Sequence, residues 1–134
     1  MSSPIQFSEA TSIAIHSMVY IASNKEDKHG IKKIAGMIGA SEAHLAKVLQ
    51  RLSKMGLLKS VTGPKGGFSL AKTSEEITLL EIYEAIEGPM HLTGCPLNRQ
   101  VCPFTNCIFQ GLLGNVTKQI KEYFENRRLV DLIN

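Results

Sequence analysis

Apolar residues recur along the chain first at helical and then at strand spacing, and the changes of period mark out its elements. Ser8 stands as an N-cap before Ile13, Ile15, Met18, Val19 and Ile21, which predicts a first helix fading at Ser23-Asn24. The polar stretch Lys25–Gly30 reads as a loop. Ile31, Ile34, Ala35 and Ile38 then repeat at three and four, predicting a short amphipathic helix that stops at Gly39. Ser41 caps the next helix, with Leu45, Val48, Leu49 and Leu52 as its buried stripe and Met55-Gly56 as its end. Two helices around a tight Gly39-Ala40-Ser41 turn have the sequence form of a helix-turn-helix, a form that other helical hairpins share.

The following segment changes period. Leu57 to Val61 alternates as a strand, Gly63-Pro64-Lys65-Gly66-Gly67 is dense in turn residues, and Phe68-Ser69-Leu70 returns as a second strand. A β-hairpin directly after a recognition helix is a wing; otherwise it is a plain hairpin closing the core. Thr78 caps a helix carrying Leu79, Leu80, Ile82 and Ile86, which Gly88-Pro89 stops. An irregular stretch from Met90 to Asn106 bears the cysteines. Ile108, Phe109, Leu112, Leu113, Val116, Ile120, Tyr123 and Phe124 then predict a long amphipathic helix. Its stripe has little else in a chain of 134 residues to pack against, so a partner subunit is its expected cover, with part of it returning onto the first helix. The fold class expected is therefore mostly α with a small β-wing. A winged helix-turn-helix fills residues 1–88, a cysteine loop 89–107, and a dimerisation helix with a closing segment 108–134.

Charge sharpens this picture. The formal net charge is only +3. Residues 31–72, however, hold Lys32, Lys33, Lys47, Arg51, Lys54, Lys59, Lys65 and Lys72 against the single acid Glu42, while both flanks are mildly acidic. A basic block of this kind inside a folded region is either a solvated lysine face or the electrostatic footprint of a polyanion, most often nucleic acid. The longest uncharged run of the first half, Ala10 to Asn24, is too short to span a bilayer and contains His16. It also lacks a basic start, so no secretory signal is expected and a cytoplasmic setting is.

The three cysteines carry the remaining chemistry. Their odd count excludes a complete set of intrachain disulfides and favours a reducing compartment. Cys95, Cys102 and Cys107 share one short segment with C-x6-C-x4-C spacing, and proline follows the first two. No C-x2-C pair supports a thioredoxin-like enzyme or a zinc ribbon. Three clustered thiolates suit a soft metal or an iron–sulfur cluster completed by a fourth ligand, with structural zinc and a bare thiol sensor as alternatives.

Several of these runs together resemble a known family. Gly39-Ala40-Ser41-Glu42-Ala43-His44-Leu45-Ala46-Lys47-Val48-Leu49, the Gly63–Leu70 wing, Ile77–Ile82 through Glu87-Gly88, and the closing Leu129-Val130-Asp131-Leu132 resemble the Rrf2 family of bacterial winged-helix regulators. The resemblance implies a homodimer on an inverted-repeat operator in double-stranded DNA, with the long C-terminal helices crossing at the dimer axis. It places Ser41, Ala43, His44 and Lys47 toward the major groove, where the first turns of a recognition helix read bases. Arg51, Lys65 and Gly66 complete the expected DNA contacts. Thr62 departs from an arginine frequent before the wing glycine, and Ala46 from a longer polar side chain in some members.

The cysteine segment resembles the family's three-cysteine cluster loop, although its gaps of six and four differ from the usual five and five. An iron–sulfur cluster, 2Fe–2S or 4Fe–4S, is the expected cofactor. Gln110 stands where the family's iron–sulfur cluster regulator has a histidine ligand. Other members take the fourth ligand from the partner's first helix, where the acidic position of the nitric-oxide sensor aligns with Ser12. His16 matches a histidine ligand of a relative and is the expected fourth ligand; Glu9, Ser12, His91 and an exogenous thiol or water are alternatives. Redox state, nitric oxide or iron supply would be the signal. No nucleophile–base set, no phosphate-binding glycine loop and only the helix-entrance pair Glu75-Glu76 speak for an enzyme. A metal-binding adaptor for an acidic protein partner is the remaining alternative.

Overall fold

A computed structural model describes residues 7–24, 29–64, 66–90, 103–104 and 108–133. Cys95, Cys102, Cys107, His91 and Lys65 lie outside the described residues. Helix α1 spans Glu9–Ser23, α2 Ile31–Ile38 and α3 Glu42–Lys54. Strands β1 (Leu58–Val61) and β2 (Gly67–Leu70) follow, then α4 (Leu79–Glu87), α5 (Leu112–Asn126) and a 3₁₀ turn at Leu129–Leu132.

Hydroxyl caps set the starts of α1, α3 and α4. Ser8 Oγ accepts from the Thr11 amide at 3.2 Å, Ser41 Oγ from His44 at 3.1 Å and Thr78 Oγ1 from Glu81 at 3.1 Å. Each satisfies one of the free amides of a first turn, which is worth about 1 kcal/mol. Gly39 ends α2 with φ 80, the left-handed conformation that lets the chain reverse within one residue toward Ser41. The turn of the helix-turn-helix is thus a Gly C-cap followed almost at once by a Ser N-cap.

One core joins these elements. Met18 and Ile21 of α1, Ile34 of α2, Leu45, Leu49 and Leu52 of α3, and Ile82 of α4 are fully buried around one another, with Ile77 and Leu129 closing the far side. Burial of each such side chain stabilises the fold by roughly 1.5–3 kcal/mol, so the three-helix unit and α4 form one cooperative body. The strands pair antiparallel in the register Leu58↔Leu70 to Val61↔Gly67. The wing is also tied to the body: Phe68 exchanges backbone hydrogen bonds with His29, at 2.8 and 3.2 Å. At Gly66 an added Cβ would lie 1.9 Å from the Val61 carbonyl oxygen, so the hairpin closes only on glycine there.

Two expectations are corrected. The last long helix begins at Leu112, because Gln110 (φ 49) and Gly111 (φ 81) are both left-handed and residues 108–111 form a turn ahead of it. The apolar spacing from Ile108 runs on through this break. Within the chain α5 packs chiefly on α4 rather than α1, with Phe124 edge-on to Tyr83 at 5.9 Å and tilted against Phe7 at 5.8 Å. The backbone after α5 then hydrogen-bonds to the segment leading into α4, through Leu79 to Arg127 and Leu129 to Ile77. Among the described residues no helix is long and apolar enough to cross a membrane.

Candidate nucleic-acid interface and metal site

Helix α3 is divided sharply by side. Leu45, Val48, Leu49 and Leu52 are buried, and on the opposite face Ala43, Lys47, Gln50 and Lys54 are exposed. Ser41, the cap, and Ala43 are exposed at its first turn, His44 is half-buried beside them, and Lys47 lies one turn further on. The exposed first turn, with a basic side chain behind it, offers short hydrogen-bonding groups to base edges and charge to a backbone. Of the sequence-predicted reading residues, Ser41, Ala43, His44 and Lys47 therefore share one end of one helix. Arg51 does not share that surface in full, since its Nε–H donates to the Ala85 carbonyl oxygen at 2.7 Å.

Behind this face a cleft of about 590 Å³ separates α3 from the wing, lined by Gly30, Ile31, Gln50, Ser53, Ser60 and Thr62 together with Gly63 and Gly66. Lys32, Lys33, Lys47, Lys54 and Lys59 are all exposed. Among the described residues, only Lys72 and Lys118 of the basic side chains sit in ion pairs, with Glu81 and Glu122. Among the described residues, the exposed lysines of α2, α3 and β1 thus have no ion-pair partner, which is the condition for counterion release on a polyanion.

The second site is approached from α1. Glu9, Ser12 and His16 occupy one exposed face at spacings of three and four. They line a cleft of about 310 Å³ whose other wall is Ile38, Gly39 and Ala40, the turn of the helix-turn-helix. His16 Nδ1 lies 2.6 Å from the Ser12 carbonyl oxygen. A carbonyl can only accept, so Nδ1 carries the proton, and in the neutral ring the lone pair is left on Nε2. This backbone orientation of one ring nitrogen is the usual support of a ligating histidine. His16 Nε2 thus keeps a lone pair of the kind a metal takes, while among the described residues no three His, Cys, Asp or Glu side chains converge.

Near the end of α4 lies a feature the sequence reading missed. The Glu87 carboxylate accepts from Ser8 Oγ and, at 2.7 Å, from Thr11 Oγ1, so the last residue of α4 holds the first turn of α1. The Ser8 hydrogen bond foremost, helped by Thr11 and by the charge of Arg51, holds the Glu87 carboxyl below its usual range. His29 was equally hidden in a polar loop; it is fully buried, its Nε2 donates to the Asn24 carbonyl at 2.9 Å, and its ring stands edge-on to Tyr20. No periodicity signals either feature.

With this geometry in place, the comparisons are direct. Residues 7–134 match the Rrf2 family profile, described as iron-dependent transcriptional regulators. The chain belongs to the Rrf2 family. An Aquifex aeolicus (strain VF5) protein assigned to the HTH-type transcriptional regulators is 34% identical over 131 residues, 96% of this chain and 91% of its own. The HTH-type transcriptional regulator NsrR of Halalkalibacterium halodurans is 28% identical over 132 residues, 96% of this chain and 90% of that one. Among solved structures, T. potens IscR superposes with a TM-score of 0.75 at 26% identity, over 96% of this chain and 85% of that chain. As an Rrf2 protein the chain is a winged-helix transcription regulator, and its relatives are regulators rather than enzymes. This bears out the resemblance read from the sequence runs and the expected fold class.

Proposed function

We propose that this Rrf2 protein is a homodimeric regulator that binds an inverted-repeat operator, with an affinity that follows the state of an iron–sulfur cluster. Cys95, Cys102 and Cys107 would hold the cluster, and His16 of the partner subunit would complete it. Ser41, Ala43, His44 and Lys47 read the major groove, and Lys65 and Gly66 bring the wing to the backbone or minor groove. When bound, such a cluster supplies reversible one-electron chemistry and reactivity toward small oxidants.

The observation that carries this reading is the position of His16. Its Nε2 is freed by the Ser12 carbonyl, and it faces the Ile38–Ala40 turn across a single cleft. A group held at His16 touches the turn that leads directly into Ser41, the cap of the reading helix. Occupation of the cleft and the pose of α3 are then thermodynamically linked, and linkage is reciprocal: DNA must stabilise whichever occupied state binds it better. Half-site spacing on DNA is fixed by the helical repeat, so a small change of pose is read as lost specific affinity.

Absorption and EPR spectra of anaerobically isolated protein, with iron and acid-labile sulfide assays, test the reading. The expected result is brown protein with sulfide-to-iron charge-transfer bands, and a His16→Ala protein whose bands shift or whose cluster is lost more readily. Colourless protein with stoichiometric zinc would contradict it.

A further inference from the structure

The DNA-reading face of α3 is held at its rear by a bond that belongs to α4. The last carbonyls of any helix lack partners within it, and α4 has no basic residue in its own last turn to satisfy them. Arg51 supplies that group from α3, donating Nε–H to the Ala85 carbonyl oxygen at 2.7 Å. A cation at the C-terminal end of α4 also meets the negative end of the helix dipole. The same turn ends in Glu87, which grips Ser8 and Thr11 of α1, and the Glu84 carboxylate takes the Met90 amide at 2.9 Å just beyond it. Three parts of the chain thus meet on one turn of α4.

From Ser41 to Arg51 is ten residues, or about 15 Å along a helix. With the rear of α3 loosened, a tilt of about 5° moves its reading end by about 1.3 Å, more than the tolerance of a hydrogen bond to a base edge. The guanidinium is also the wrong group to be replaced by any cation here. Its Nε–H sits on the side of a planar fork, and a lysine ammonium, a point charge on a flexible stem, does not reproduce that direction.

We propose that Arg51 is a positioning residue for DNA reading: it fixes the pose of the recognition helix by capping α4, and it is not a phosphate contact. This rests on α3 being the reading helix.

The two roles separate in Arg51→Lys, tested in the full-length dimer. The probes are a duplex enriched from a random-sequence pool by the wild-type protein, and a scrambled duplex of equal length. Affinities are measured by fluorescence anisotropy at several salt concentrations, and thermal unfolding is followed without DNA. Positioning predicts that Arg51→Lys loses about tenfold or more for the enriched duplex, keeps its affinity for the scrambled one, leaves the salt slope unchanged, and melts a few degrees lower without DNA. Arg51→Ala should show the same loss of specific affinity. A phosphate contact predicts instead that Arg51→Lys binds like wild type and that Arg51→Ala flattens the log–log salt slope by about one; either result overturns the proposal. A wild-type protein that enriches no sequence would overturn the reading role of α3, and positioning with it. Enrichment by wild type with unaltered binding by Arg51→Lys overturns positioning alone.

Discussion

At the scale of the residue, the decisive groups are those whose hydrogen bonds fix a second atom for use elsewhere. His16 gives Nδ1–H to Ser12 and keeps Nε2; Glu87 collects two hydroxyls of α1 and in doing so becomes a better acid. Because the Glu87 carboxyl titrates below its ordinary value of 4.5, its contribution is complete above that value and is lost as pH falls through the lowered one. Glu87→Gln should therefore lower stability by about 1 kcal/mol at pH 7, the scale of a hydrogen bond to a charged group tempered by solvent. The difference from wild type should shrink on acidification below about pH 4.5. Denaturant unfolding at neutral and acid pH measures it; an equal difference at both would show that the carboxylate charge is not involved. Local features of this size were partly legible. Ser8, Ser41 and Thr78 announce themselves as caps because their partners lie three residues away. Arg51 and Ala85 are thirty-four residues apart, and His29 owes its burial to Phe68 and Tyr20, so nothing in their sequence neighbourhood marks them.

At the scale of the element, amphipathic period was a good guide to α2 and α3 and a poor one to the start of α5. In α3 the stripe Leu45, Val48, Leu49 and Leu52 is the buried set, so Leu49→Ala should cost about 2–5 kcal/mol in denaturant unfolding with an unchanged slope. A cost below 1 kcal/mol would mean that the site collapses or is less enclosed than described. The error at α5 has a physical cause: a period of hydrophobic residues persists through Gln110-Gly111, but two successive left-handed residues do not propagate a helix. Gly111 was the visible signal. In the wing, the glycine-rich turn was legible as a turn, but not the reason for Gly66, which is the approach of the Val61 carbonyl. Gly66→Ala should open the hairpin and weaken binding to a selected duplex, while the helical core, to which Gly66 contributes nothing, melts nearly as before. Wild-type affinity in that variant would show that the closed hairpin is not needed on DNA.

At the scale of the whole molecule, α5 carries an apolar surface that the described residues leave uncovered. Leu112 is 56% exposed, Val116 41% and Tyr123 49%, along a helix that α4 covers on only one side. The expectation that α5 needs a partner subunit follows from these exposed side chains, and the family the chain belongs to is consistent with it. Val116→Glu should then give monomers in sedimentation velocity and lose operator binding, because one half-site alone forgoes the second set of contacts. A dimer that survives the added charge would place the interface elsewhere.

The same scale holds the central claim, that a group bound between the cysteine loop and α1 governs the reading helix. It stands on His16, on the cleft it shares with the Ile38–Ala40 turn, and on the resemblance of the three-cysteine segment to the family's cluster loop. The most direct test is the affinity for a selected duplex, at one fixed salt concentration, of anaerobically isolated protein before and after removal of its iron and sulfide. The account predicts dissociation constants that differ by about tenfold or more, a coupling of typical allosteric size. Equal constants for the two forms would contradict it.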